Sequence, residues 1–323
     1  MKLNYYISPT GNAYENLAMD EYFLTHLPPD THLLYFYIND NAVIIGRNQN
    51  AFRECDLDAL KERNVKLVRR LTGGGAVYHD VGNLNFSFIS PEGMYDTDRQ
   101  DEILLSALRS LGIEAEKNGR NDFVADGRKF SGNAFGAKGG NRVRHGTLLI
   151  SSDMGKLDKY LTVSAKKLRA KGVASVRSRV CNLTEFCPTL TPKKATEAIL
   201  KAFEAHYGME ASPLTLSASD EDAIGALAVE RSSFDWVMGE APTFDYSFEE
   251  RFSFGMLQLC LTVTDGKVSR AEIFTDSLDI TLPDRVKAVL KGEAFTPENI
   301  GNALFRTQSA ELGEIGRYII NNI

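Results

Sequence analysis

The sequence predicts a mixed α/β (α+β) protein made of one large N-terminal domain and one small C-terminal domain. Three observations lead there. With 323 residues, 43% apolar and 25% charged, the chain can bury a large core, and its length corresponds to about two domains. Strand-like apolar runs alternate with amphipathic helices through most of it. Gly239-Glu240-Ala241-Pro242-Thr243 then breaks the pattern, and a three-stranded meander followed by helices makes an α+β unit of ~75 residues. The division is drawn at residues 1–242 and 248–323, with no internal repeat.

The first helix starts at Asn12, an N-cap with Glu15 three residues on, and ends before Pro28-Pro29. Residues 33–38 and 42–45 read as a hairpin through the polar turn Asn39-Asp40-Asn41. Gly46-Arg47-Asn48-Gln49-Asn50 either lines a ligand site or is a plain loop. A short helix over 55–63 leads into a strand at 65–68. There follows Arg69-Arg70-Leu71-Thr72-Gly73-Gly74-Gly75-Ala76-Val77-Tyr78-His79-Asp80. Two arginines precede three glycines, whose lack of Cβ lets backbone N–H groups approach a ligand closely. An anion or a narrow acyl chain suits such a loop; the plainer alternative is a glycine-rich hairpin amid incidental charge.

Residues 83–88 alternate polar and apolar, a half-buried strand. Residues 97–111 make a helix packed on the sheet, with Gly112 at its stop. Asp126-Gly127 is a two-residue hairpin turn between strands at 121–125 and 128–135, and it holds Lys129 just past the turn. Residues 136–141 read as a mobile glycine-rich linker before a strand at 142–150. From Asp153 the chain is helical and basic, ordinarily a solvated face. Arg177 and Arg179 then share one side of an extended small-residue segment. Helices follow at 191–207, stopped by Gly208, and at 221–229. In the C-terminal part, strands at 250–254, 256–263 and 268–274 precede helices at 283–290, 297–305 and 310–320.

Several function classes recede. A net charge of -6 argues against generic nucleic-acid binding. The N-terminus has no signal-peptide or transit character, and no apolar run approaches the ~18 residues of a membrane helix, so the cytoplasm is the default location. Cys55, Cys181, Cys187 and Cys260 form no CxxC, and there is no HExxH. They read as reduced, mostly buried thiols. P-loop, GxGxxG and GxSxG patterns are all missing. What remains is an arginine-flanked glycine loop, a lysine on a hairpin and a later arginine pair. Together they suit an anionic substrate whose charge is neutralised during reaction, lysine as a point charge and arginine as a planar fork.

These segments resemble one family. Arg69 to Asp80 is similar to the lipoate-binding loop of the lipoate–protein ligase A family. Lys129-Phe130-Ser131-Gly132-Asn133-Ala134 is similar to its second signature, which holds the essential lysine. Lys171-Gly172-Val173-Ala174-Ser175-Val176-Arg177-Ser178-Arg179-Val180, with Asn182-Leu183 after one further residue, resembles its adenylate-binding loop. Gly46 to Asn50, Asn118-Gly119-Arg120-Asn121-Asp122 and Phe274-Thr275-Asp276-Ser277-Leu278 match in the same order, so the resemblance spans essentially the whole chain. Residues 135–144 depart from it, being rich in glycine and lysine with no aromatic after Phe135.

The resemblance implies a large biotin/lipoate-ligase-like domain with mixed sheets plus a small accessory α+β domain. It implies a two-step ligase: lipoate and ATP with Mg²⁺ give lipoyl-AMP, and the acyl group then passes to a lysine of apo lipoyl domains. Those domains are the E2 subunits of 2-oxoacid dehydrogenases and the glycine cleavage H protein; octanoate is an alternative acyl substrate. Gly73, Gly74, Gly75, Ala76, Val77 and Tyr78 would wall the acyl site, and Arg70 would offset phosphate charge. Lys129 would bridge carboxylate and α-phosphate, while Arg177, Ser178 and Arg179 would hold the adenylate. Asp122 would be either a Mg²⁺ ligand or a strand-end structural aspartate, and His79 a hydrogen-bonded structural residue. An ATP-independent octanoyl or lipoyl transferase and a non-catalytic acyl- or nucleotide-binding protein are the competing expectations.

Overall fold

A computed structural model describes residues 1–160, 180–238 and 245–322. In the large domain the elements run β1 (Lys2–Ile7), α1 (Ala13–His26), β2 (Thr31–Tyr37), β3 (Ala42–Ile45), α2 (Ala51–Glu54), α3 (Leu57–Glu62), β4 (Lys66–Arg69), β5 (Val77–His79) and β6 (Asn83–Pro91). They continue with α4 (Thr97–Ser110), β7 (Glu116–Asn118), β8 (Asp122–Ala125), β9 (Arg128–Lys138), β10 (Asn141–Leu149) and α5 (Met154–Tyr160). After the undescribed residues come α6 (Pro192–Tyr207), β11 (Ser212–Pro213), α7 (Ala218–Ser232) and α8 (Phe234–Met238).

The frame is an eight-stranded mixed sheet in the order β11-β1-β2-β6-β10-β9-β8-β7. β1 pairs in parallel with β2 and β11, and every pairing from β2 outward to β7 is antiparallel. Capping residues set the helix ends, although Glu15 accepts from the Asn12 side chain (2.7 Å) rather than from its backbone N–H, so no capping box closes at α1. Asn12 accepts from the Tyr14 N–H, Thr191 caps α6, and Gly208 ends it at φ 66.

Three sequence expectations are corrected. β6 alternates, but it is buried on both faces rather than one. Leu84, Phe86 and Phe88 pack beneath α4 and α6, while Asn83, Asn85 and Ser87 are covered on the opposite face, where Asn85 Nδ2 donates to the Tyr37 carbonyl (3.2 Å). β2 and β3 do not form a hairpin: β3 belongs to a second sheet, β4-β3-β5. The polar groups of the turn between them are drawn elsewhere. Asn39 accepts from Asn16 Nδ2 (2.9 Å) and donates to His79 Nδ1 (3.0 Å), and the Asp40 N–H donates to the Gly11 carbonyl. Residues 136–141 are not a linker: β9 continues to Lys138, Gly139-Gly140 turn at φ 63 and 81, and β10 begins at Asn141. Lys138 pairs with Glu21 (2.9 Å) and Asn141 donates to the Leu24 carbonyl, tying this hairpin to α1.

The small C-terminal domain has a meander of β12 (Tyr246–Phe252), β13 (Gly255–Thr264) and β14 (Lys267–Thr275), followed by α9 (Leu282–Leu290), α10 (Pro297–Arg306) and α11 (Ala310–Asn322). Leu257, Leu259 and Leu261 of the sheet meet Val286, Leu304 and Ile315 of the helices in a core separate from that of the large domain.

Candidate functional site

The glycine loop is shaped from below by Arg70. Its guanidinium donates to the carbonyls of Gly73 (2.7 Å from Nη2), Gly75 (2.8 Å) and Ile44 (3.3 Å). Burial pushes its pKa down to about 10, which leaves it charged at neutral pH. The fork therefore lies inside the loop, with its positive charge directly beneath it. Arg69 is equally buried and equally spent on backbone, donating to the carbonyls of Gly46, Arg47, Gln49, Trp236 and Val237.

The three glycines face different surroundings. A Cβ on Gly73 would stand 2.2 Å from the Ser277 carbonyl oxygen of the C-terminal domain. Gly74 has φ +95, and its N–H donates to that same Ser277 carbonyl (3.0 Å). Gly75 is exposed with open space about it. The segment Gly46 to Asn50 takes part in both regions. A side chain on Gly46 would strike the Gly74 carbonyl, while Asn48 accepts from the Thr275 N–H and donates to the Ile280 carbonyl. Ala76 and Val77, which follow, are partly buried. The Tyr78 side chain turns away into a small core beside Tyr160 and donates to Asn41 (2.8 Å).

β9 carries the second half of the site. Asp126 at φ 50 and Gly127 at φ 68 make the tight turn, and Lys129 follows it. Opposite β8, Val124 pairs with Lys129 and Phe123 with Ser131, so Phe130 is an extra, bulged residue. The bulge matters because paired residues share a face of the sheet. Without it, Lys129 would point away from Gly132; with it, Lys129 joins the face of Gly132, Ala134 and Gly136. Lys129 Nζ lies 2.9 Å from where a Gly132 Cβ would be, and Thr72 of the glycine loop lies 2.9 Å from where a Gly136 Cβ would be. A strip bearing only glycine and alanine thus runs between a lysine ammonium and the arginine-backed loop.

Asp122 pairs with Lys129 Nζ at 2.7 Å. A Mg²⁺ ion would have in Asp122 a single carboxylate, the sparse protein ligation magnesium accepts when phosphates supply the rest. Among the described residues no group of three or more His, Cys, Asp and Glu side chains could hold a metal by itself. Arg177, Ser178 and Arg179 lie outside the described residues. The chain that resumes after them is placed against Lys129: Val180 bridges it, and the Cys181 N–H donates to its carbonyl (2.9 Å).

His79 is fully buried, and desolvation first, then the nearby Arg70 charge, pushes its pKa down to about 3. It is a neutral structural acceptor. Another buried histidine, one of three with His32 and His79, carried no role in the sequence expectations. His145 Nδ1 bonds Asp20 (2.7 Å) and its Nε2 bonds the Thr72 hydroxyl (2.6 Å). With Asp20 as acceptor, Nδ1 is the donor of that bond. A small cavity of about 20 Å³ lies beside this trio, walled also by Arg70, Val143 and Trp236. The one signal in sequence was an acidic residue at position 20 among the apolar side chains of the first helix.

Residues 12–204 match a family described as the lipoyl protein ligase A/B catalytic domain, and residues 241–319 match the bacterial lipoate protein ligase C-terminus. Among solved structures, P. falciparum LipL1 in complex with lipoate is similar over 99% of this chain and 100% of that one, at 28% identity and TM-score 0.85. The bipartite lipoate protein ligase of T. acidophilum, described with its E2 lipoyl domain, is 31% identical over 76% of this chain and 100% of its own, with TM-score 0.67. A lipoate-protein ligase A bound with ATP is 30% identical over 74% of this chain and 99% of its own, with TM-score 0.66.

Proposed function

The chain belongs to the lipoyl protein ligase A/B family, and from that premise we propose that it is an ATP-dependent lipoate–protein ligase. The observation that carries this reading is the glycine and alanine strip on β9, with Lys129 at one end and the Arg70-backed loop at the other. An acyl chain fits along a surface without side chains, and its carboxylate reaches a cation. Related proteins hold lipoate and ATP, which supports assigning both ligands here.

In the first step the lipoate carboxylate oxygen attacks the α-phosphorus of ATP, an O–P bond forms, and pyrophosphate leaves. Lys129 exchanges Asp122 for the carboxylate and α-phosphate, stabilising the charge that grows there. Arg70 adds positive potential from beneath the loop, and Gly75 to Val77 offer backbone along the acyl chain. Arg177, Ser178 and Arg179 hold the adenylate. Asp122, together with the substrate phosphates, would hold Mg²⁺, which would supply positive charge for the leaving group. In the second step the amine of an acceptor lysine attacks the acyl carbon, AMP leaves with the carbonyl–phosphate bond broken, and the amine loses its proton. The acceptors are apo lipoyl domains of E2 subunits and glycine cleavage H protein, and octanoate serves as a second acyl substrate. Residues 1–242 form the catalytic domain and 248–323 the accessory one; the setting is the cytoplasm.

The rival transferase needs an activated thiol. Cys181, beside Lys129, is 1% exposed, donates its thiol to the Arg128 carbonyl (3.4 Å) and has its pKa raised by burial. That favours the ligase. The test is to incubate the purified chain with lipoate, ATP, Mg²⁺ and an apo lipoyl domain, then follow pyrophosphate, AMP and acceptor mass. All three should appear together and only with ATP. Acceptor modification from an acyl thioester without ATP would establish the transferase instead.

A further inference from the structure

Trp236 is the only tryptophan in the chain. It sits on α8, after which the described chain resumes only at residue 245, at the edge of the C-terminal domain. Its ring lies between two guanidinium groups, with Arg231 3.8 Å and Arg47 4.2 Å from the ring centroid. Its indole N–H donates to the Arg69 carbonyl (3.1 Å), and Arg69 in turn donates to the carbonyls of Trp236 (3.0 Å) and Val237 (2.6 Å). Trp236 is thus bonded in both directions to the residue that precedes Arg70 and the glycine loop.

The same ring walls the cavity beside Thr72 and His145. At about 20 Å³ this space holds about one water molecule, far less than the tail of an eight-carbon acid. Some wall has to move for a tail to enter. The sheet wall is fixed by strand hydrogen bonds and Arg231 is held by Glu21 of α1 (2.7 Å), whereas the Trp236 ring on the last described helix of the domain is held by stacking and one hydrogen bond.

We propose that Trp236 is an acyl-positioning residue. Its ring shifts within the guanidinium sandwich to admit the distal end of the acyl chain, and its paired bonds with Arg69 couple that shift to the strand that leads into the glycine loop. The inference rests on the ligase reading and deepens it by naming the wall that senses the tail.

Because Trp236 is the single tryptophan, indole fluorescence of the intact chain reports on it alone. Octanoate and lipoate are titrated separately while calorimetry on the same samples measures binding. A saturable emission change with the calorimetric midpoint is expected for each acid. Trp236→Ala should raise KM for lipoate about tenfold with KM for ATP altered less than about twofold, and Trp236→Phe should fall between. Calorimetric binding with unchanged emission overturns the proposal, as does Trp236→Ala with an unaltered lipoate KM. If neither acid binds, the ligase reading itself falls and the proposal with it. Should Trp236→Ala fail to fold, the wild-type titration decides alone.

Discussion

Lys129, for which a role in adenylation is proposed, and His79 differ most in how far they are buried. The Lys129–Asp122 pair is partly solvated, its side chains 38% and 33% exposed, so it contributes little to stability and releases the lysine readily. Lys129→Ala is therefore expected to cut pyrophosphate release by about a hundredfold or more while leaving the melting temperature nearly unchanged. A pyrophosphate assay beside a thermal melt checks both halves. His79 is the opposite case. Burial places its pKa at about 3, and that of His32 at about 4, below the ~6.5 of the unfolded chain. Below pH ~6.5 the unfolded chain takes up protons that the folded one refuses. This contribution to stability is fully present above pH ~6.5 and is lost as pH falls toward those values. His79→Gln, in which the side-chain oxygen can still accept from Asn39, should weaken that acid sensitivity by about 1 kcal/mol between pH 7 and 5.5. Urea unfolding of both proteins at the two pH values measures it, and identical pH dependence would show that His79 titrates normally.

At the scale of elements, the Phe130 bulge converts an ordinary hairpin strand into one side of a site. It turns Lys129 onto the face of Gly132 and Gly136, which are small where a side chain would obstruct. The two glycines differ in what they protect. A Gly132 Cβ would meet only the far end of the flexible Lys129 side chain, so Gly132→Ala should fold normally yet displace the ammonium and lower kcat about tenfold. Steady-state kinetics with wild-type melting behaviour is the expected result; full activity would mean that Lys129 has room to work elsewhere. The loop strand β5 and the turn at Asn39 show the same dependence on neighbours. His79, Asn39 and Asn16 form one buried chain of hydrogen bonds that joins β5, the sheet-switching turn and α1. That chain explains why a polar turn that reads as a hairpin carries the backbone from one sheet to another.

Across the whole molecule, the small domain rests on the glycine loop. Gly74 N–H to Ser277, Thr275 N–H to Asn48 and Asn48 to Ile280 hold it there, and Gly73 has no room for a Cβ. Gly73→Ala should thus weaken domain docking by about 1–3 kcal/mol, seen as an earlier melting step, since the atom it meets is backbone and cannot swing aside. If the Gly74 N–H is to serve an adenylate, the Ser277 contact has to open, and solution scattering should differ between the free chain and its lipoyl-AMP complex. Identical profiles would argue that the docked arrangement is also the reactive one. Local rules made much of this protein legible in its sequence. The caps at Asn12 and Thr191, the Asp126-Gly127 turn with Lys129 just past it, and the run of glycines all depend on residues a few positions apart, whereas the role proposed for Lys129 came from the family resemblance. The partner sheets of β2 and β3, the burial of β6 on both faces, and the meeting of Asp20, Thr72 and His145 were settled only by tertiary structure. So was the seating of Ser277 on the loop. Strand partners and buried polar contacts are chosen by long-range burial, which joins residues 125 positions apart, as in Asp20 and His145, and leaves little periodic trace in either segment.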